Sequence, residues 1–181
     1  MILTIATGCR FAVGITFFVA FAAKALDFRS FARGVVAYRL LPGWLTAPLA
    51  AALAAAEAAV AVCLLGGWFV LAGAALALAL CTAFAVAVSV NLARRARIPC
   101  HCFGTGERIS GRVLTRIGLL AAATAILTGA GAAGTDPAAP AASAETVLRI
   151  AVAAGFVCVA QWVLFLPDVV RLLRAGQGAA R

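Results

Sequence analysis

Charge is what this sequence has least of. Only 12% of its 181 residues are Asp, Glu, Lys or Arg, where a soluble domain carries about 25%. Acidic residues are the scarcer sign, 6 against 15 basic ones. Histidine occurs once, and no second Cys/His cluster exists away from it. Hydrophobic residues fill 65% of the chain and the mean hydropathy is +1.10. That is more apolar surface than one soluble core of this length can hide. A soluble enzyme domain, a disordered tail and a nucleic-acid-binding module are therefore excluded. The net charge of +9 is not a phosphate-binding patch, because the arginines sit in short stretches between apolar runs, as membrane topology signals do. A basic stretch ahead of the first apolar run is also missing, and Met1–Gly8 is too short for a signal-peptide core, so no cleaved leader is expected. Cys9 after Ala6-Thr7-Gly8 is a poor imitation of a lipidation site.

What is there is a series of runs long enough to cross a bilayer, which takes about 20 mostly apolar residues. Five are expected: within Ile2–Leu26, then about Leu45–Leu65, Trp68–Val90, Val113–Ala133 and Thr146–Leu166. Four spans is the alternative. Backbone in hydrocarbon must satisfy itself, so these runs are helices. They lack the apolar–polar alternation of a membrane barrel. The expected fold is an all-α integral membrane protein, a compact bundle forming one domain over residues 1–167, with a basic tail over 168–181. Small residues at Ala50–Ala52, Ala54–Ala56, Ala72–Ala75 and Ala121–Ala123 allow close helix approach. Between the first two spans, Phe28, Phe31, Val35 and Tyr38 recur at helical spacing while Arg29 and Arg33 form a polar i, i+4 pair. Asp27–Leu41 is thus a short amphipathic helix at the interface, followed by a turn at Pro42-Gly43. Trp44 and Trp68 fall at span ends, where aromatic belts put them.

The connections sort by charge. Asp27–Trp44 holds Arg29, Arg33 and Arg39; Asn91–Arg112 holds Arg94, Arg95, Arg97, Arg108 and Arg112; Asp168–Arg181 holds Arg171, Arg174 and Arg181. The Gly66-Gly67 turn and Gly134–Glu145 carry no Lys or Arg. With positive charge retained inside, five spans place the N-terminus out and the C-terminus in.

The chemistry is expected in the most basic connection. Cys100-His101-Cys102-Phe103-Gly104 follows Pro99 and precedes Thr105-Gly106, a turn rather than a helix. Neighbouring arginines and His101 favour thiolate. Two cysteines one residue apart can bond only in a small, strained ring, which reduces easily and closes little chain, so the bond suits exchange better than stapling. The competing reading is a soft metal held by Cys100, His101 and Cys102; an inert loop is the third. Of the other cysteines, Cys81 and Cys158 read as small hydrophobes, and Cys9 with Cys63 stands as a candidate second pair.

Ionisable residues inside spans are functional candidates. Arg10, Gly14, Phe17, Phe21 and Lys24 share one face of the first span, and Glu57 lies near the middle of the second. Glu57 either fixes helix packing by pairing with a cation or carries a proton during thiol chemistry. Lys24 has a third option, to snorkel to the nearer interface.

These pieces together resemble the MauE-type methylamine utilisation membrane proteins, within the wider MauE/DoxX group. The residues concerned are Arg10 and Gly14 with Lys24, Tyr38 with Leu41-Pro42, Glu57, and Cys100-x-Cys102-Phe103-Gly104, spread over about the first 130 residues. The resemblance implies a helical bundle in a bacterial inner membrane that handles disulfides with a thioredoxin-like, MauD-like partner. In those systems the client is extracytoplasmic. The charge pattern puts the cysteine loop on the cytoplasmic side, so a relay of electrons across the bilayer is the leading expectation, the alternative being an external loop with one span fewer or more than counted; quinone is left open as a cofactor. No nucleic acid is expected as a partner.

Overall fold

The computed structural model describes residues 2–39, 42–95, 99–100, 107–108, 111–132 and 155. Four long helices lie within them: α1 (Ile2–Leu26), α3 (Gly43–Gly66), α4 (Val70–Ala93) and α5 (Gly111–Ala132). Each is long and apolar enough to cross a membrane. The 22 residues of α5, the shortest, span about 33 Å at 1.5 Å per residue, against a hydrocarbon core of about 30 Å. Apart from Gly155, which is helical, the expected fifth span and the basic tail lie outside the described residues.

The helices form an antiparallel ring. Gly14 of α1 lies beside Leu64 and Leu65 of α3, Gly73 of α4 beside Cys63, and Gly131 of α5 beside Leu71. Consecutive spans pack on each other and α5 closes the ring against α1. Glycine is needed at the tight crossings. A methyl group on Gly73 would come within 2.7 Å of the Cys63 Cβ. The core is built of small and medium residues, including Ala6, Val13, Val60, Leu64, Ala74, Ala77 and Leu127. This is how membrane helices gain van der Waals contact where lipid offers no hydrophobic driving force.

The α3–α4 reversal is accomplished in Gly67–Phe69. Gly67 takes φ +76°, the left-handed C-cap that glycine adopts without cost, and Phe69 follows at φ +52°. Trp68 and Phe69 are exposed there, as belt residues are. The third span therefore starts at Val70, two residues after the expected Trp68, because both belong to the turn. At the other end α4 continues past the expected Val90 to Ala93 and takes in Asn91, which is expected in the connection. Its side-chain Nδ2 donates to Ala87 O at 3.0 Å, which satisfies the amide within the helix.

The amphipathic helix is α2 (Phe28–Ala37), shorter than the expected Asp27–Leu41. Asp27 is its N-cap: its Oδ1 accepts from Ser30 N at 3.0 Å. Phe31 and Gly34 are buried, Val35 and Tyr38 half-buried, and Arg29 and Arg33 exposed. The helix packs on α3 and α1.

Candidate functional site

The site has two parts, one between spans and one inside the bundle. Between α4 and α5 the chain forms a minimal antiparallel hairpin, β1 (Pro99–Cys100) with β2 (Glu107–Arg108), in which Cys100 faces Glu107 across the ladder. The expected turn thus has Cys100 at the end of a strand rather than inside the turn. Pairing of two residues on each side suffices to set where the intervening segment begins and ends. His101, Cys102, Phe103 and Gly104 fall outside the described residues. The hairpin shares its end of the bundle with α2, the C-terminus of α1 and the start of α3. Exposed Arg29, Arg33, Arg39, Arg94, Arg95 and Arg112 lie at that end, whereas among the described residues the Gly67–Phe69 end carries no exposed charged side chain.

Inside the bundle the structure joins Lys24 to Glu57. Lys24 Nζ donates to Glu57 Oε1 at 2.9 Å and lies 2.8 Å from Oε2, so one ammonium straddles the carboxylate. The two side chains are 1% and 2% exposed. Nζ also reaches Ala20 O at 3.4 Å and sits 5.1 Å from the centre of the Phe31 ring, which α2 lays over it. Lys24 therefore does not snorkel. A carboxylate in apolar surroundings draws the ammonium inward, because either charge left alone there costs several kcal/mol.

Arg10 lies elsewhere on α1. It is buried against the α3–α4 turn, with its guanidinium beside Gly67 and 4.6 Å from the Phe11 ring centre. Ten residues of helix, about 15 Å, separate Gly67 from Glu57. Arg10, Gly14, Phe17 and Lys24 are all buried, so the expected shared face is the inner face. Tyr38 closes α2, where its backbone N–H bonds Val35 O at 3.3 Å. Two polar residues at the hairpin end, Asn91 and Arg116, are buried, although the sequence offers neither as a site residue. Arg116 lies five residues inside α5, and a cation at that depth in a span was the available signal.

Cys9, Cys63 and Cys81 are free thiols, Cys9 and Cys81 buried and Cys63 half-buried. Cys63 faces the α4 crossing at Gly73. Among the described residues, no three His, Cys, Asp or Glu side chains converge on a point that could hold a metal ion.

Four antiparallel apolar helices, a buried ion pair between the first two and a cysteine-bearing hairpin between the last two define a multi-pass membrane protein. Its family follows from comparison with known proteins. The family model described as "Methylamine utilisation protein MauE" matches residues 2–129, so the chain belongs to the MauE family. The match runs from the first residue of α1 to three residues before the end of α5 and thus covers every described span. Neither the comparison with curated proteins nor that with solved structures returned a match.

Proposed function

We propose that this protein is a membrane thiol–disulfide oxidoreductase that exchanges electrons through Cys100 and Cys102 with a thioredoxin-like partner. The observation that carries the reading is the position of Cys100. It closes a two-residue ladder between two membrane spans, in a connection where Arg94, Arg95, Arg97 and Arg108 surround it in sequence. Positive charge favours the thiolate that attacks a disulfide. The exchange is balanced as follows. A partner dithiol attacks the Cys100–Cys102 disulfide, a mixed disulfide forms, and the second partner thiol resolves it. The partner leaves as a disulfide and this chain as a dithiol, two electrons and two protons richer. His101 supports thiolate formation, and Phe103 and Gly104 shape the segment that meets the partner.

Six exposed arginines at the hairpin end favour a cytoplasmic position for that end and an outer position for the N-terminus, in the inner membrane of a bacterium. The Cys100–Cys102 disulfide then draws two electrons from a cytoplasmic partner, and a disulfide or a quinone on the far side takes them from the resulting dithiol. Family membership supports service to the maturation of extracytoplasmic proteins in methylamine utilisation.

Trapping tests the reading. A thioredoxin-like partner with one active-site cysteine should accumulate a mixed disulfide with the intact chain, and Cys100→Ser with Cys102→Ser should reduce that adduct to background. An adduct level unchanged in the double variant would overturn the proposal. Labelling of Cys100 and Cys102 in whole cells with a membrane-impermeant thiol reagent, before and after reduction, reads both their redox state and their side.

A further inference from the structure

We infer that the elbow between α2 and the first turn of α3 is a binding site for anionic phospholipid headgroups. Two kinds of exposed side chain meet there. Arg29 and Arg33 project one turn apart from the outer face of α2, and Arg39 follows its C-cap. Interleaved with them are exposed apolar groups: Leu26 at 89%, Phe28 at 38%, Val36 at 51% and Trp44 at 76%. The only acid of this segment, Asp27, is turned to its own backbone as the α2 N-cap.

The mixture selects the occupant. An acidic protein face would match the arginines but leave the aromatic and aliphatic groups in water. A lipid surface takes both, with phosphates at the guanidinium groups and acyl boundary at Trp44, Phe28 and Leu26. Placement agrees, because the elbow joins the C-terminus of one span to the N-terminus of the next and so lies at headgroup depth. The opposite face of α2 is occupied by the bundle, through Phe31 on Lys24. The helix is therefore held between the ion pair and the headgroups. Each arginine at a charged surface contributes about 1 kcal/mol, or roughly a five-fold preference for anionic over zwitterionic lipid.

Tryptophan quenching by brominated lipid tests this on the full chain in nanodiscs. With Trp68 and Trp162 replaced by Phe, Trp44 is the sole reporter. At equal mole fraction, brominated phosphatidylglycerol should quench it at least about two-fold more than brominated phosphatidylcholine, given the preference above. The excess should fall in high salt and vanish in Arg29→Gln/Arg33→Gln/Arg39→Gln. A second reporter with only Trp68, at the opposite end, where the described residues expose no arginine, should show no lipid preference. Far-ultraviolet circular dichroism and an unchanged Trp68 signal establish that the triple variant is folded. Equal quenching of Trp44 by both lipids, or an excess that survives the triple substitution, would overturn the site.

Discussion

The two connections that reverse the chain between its later spans do the same topological work with very different amounts of chain. From α3 to α4 it takes Gly67–Phe69, two left-handed residues and no charge. From α4 to α5 it takes residues 94–110, with a hairpin, four arginines, the single histidine and two cysteines. Antiparallel helices need only a few residues to turn, and most connections in helical bundles run to about 2–8. The additional length between α4 and α5 is therefore not demanded by the bundle, and it holds the two cysteines on which the proposed exchange rests. The comparison breaks most sharply if the long connection is exchanged for a short glycine-containing turn. The bundle should persist, with helical circular dichroism unchanged apart from the lost hairpin, while mixed-disulfide formation with the partner drops to background. Collapse of the bundle would mean that the hairpin is structural and the contrast misread.

A second contrast sets the hairpin against the interior. Cys100 can be replaced without leaving a charge uncompensated, whereas Lys24 cannot. Lys24→Met leaves the Glu57 carboxylate buried with its cation removed, a class of change that costs about 3–5 kcal/mol. Lys24→Met/Glu57→Met should recover most of that, because replacing both charges by apolar groups is often neutral or stabilising. Unfolding in mixed detergent micelles reads both. If the double variant is as unstable as the single one, pairing is not the reason for the loss. If the double variant is stable yet loses thiol exchange while Cys100 remains accessible, the pair has a role in the chemistry beyond packing.

How legible these regions are in sequence follows from their physics. The spans were readable because hydrocarbon demands about 20 apolar residues, and Ile2–Leu26 is bounded alike in sequence and structure. The α2 face was readable because Phe31 and Arg33 obey helical spacing. Lys24 was ambiguous because a long side chain two residues from a helix end has two destinations. Only the position of Glu57 on the facing helix decides between them, and that is tertiary information. Gly73 was hidden among alanines for the same reason: nothing local distinguishes it until Cys63 comes to face it. Asn91 looked like loop because its polarity marks a span end, and its bond to Ala87 O is what keeps it helical. The cysteine motif was read from residue types and spacing alone, and all of it but Cys100 lies outside the described residues.

The Gly67–Phe69 end offers the next perturbation. Gly73→Leu forces a side chain into a crossing where even a methyl group would meet the Cys63 Cβ at 2.7 Å. Both partners are close to backbone, so neither can swing away. Overpacking of this kind costs about 1–3 kcal/mol. The loss should appear as a lower unfolding midpoint in micelles, together with increased labelling of Cys63 by a thiol reagent as α3 and α4 separate. Gly118→Leu, on α5 where the space is open, is the control and should change neither. Equal effects at the two positions would show that leucine at any helical glycine is harmful here, and the close α3–α4 approach would lose its support.

The smallest effect is expected at the charged end. Asp27→Ala removes the side-chain acceptor of Ser30 N at 3.0 Å, a capping bond worth about 1 kcal/mol in a water-exposed helix. Because α2 is also held by Phe31 against Lys24, loss of the cap should fray its first turn without releasing the helix. Hydrogen exchange should therefore accelerate at Ser30 and Phe31 by about five-fold, the factor that 1 kcal/mol represents, while exchange in α3 is unchanged. Asp27→Asn and Asp27→Ser keep an oxygen acceptor and should restore most of the protection, which separates capping from the loss of a negative charge beside Arg29 and Arg33. If Asp27→Ala accelerates exchange along all of α2 and destabilises α3 as well, the capping bond holds the whole elbow, and the charged end owes its geometry to local bonds rather than to the ion pair beneath it.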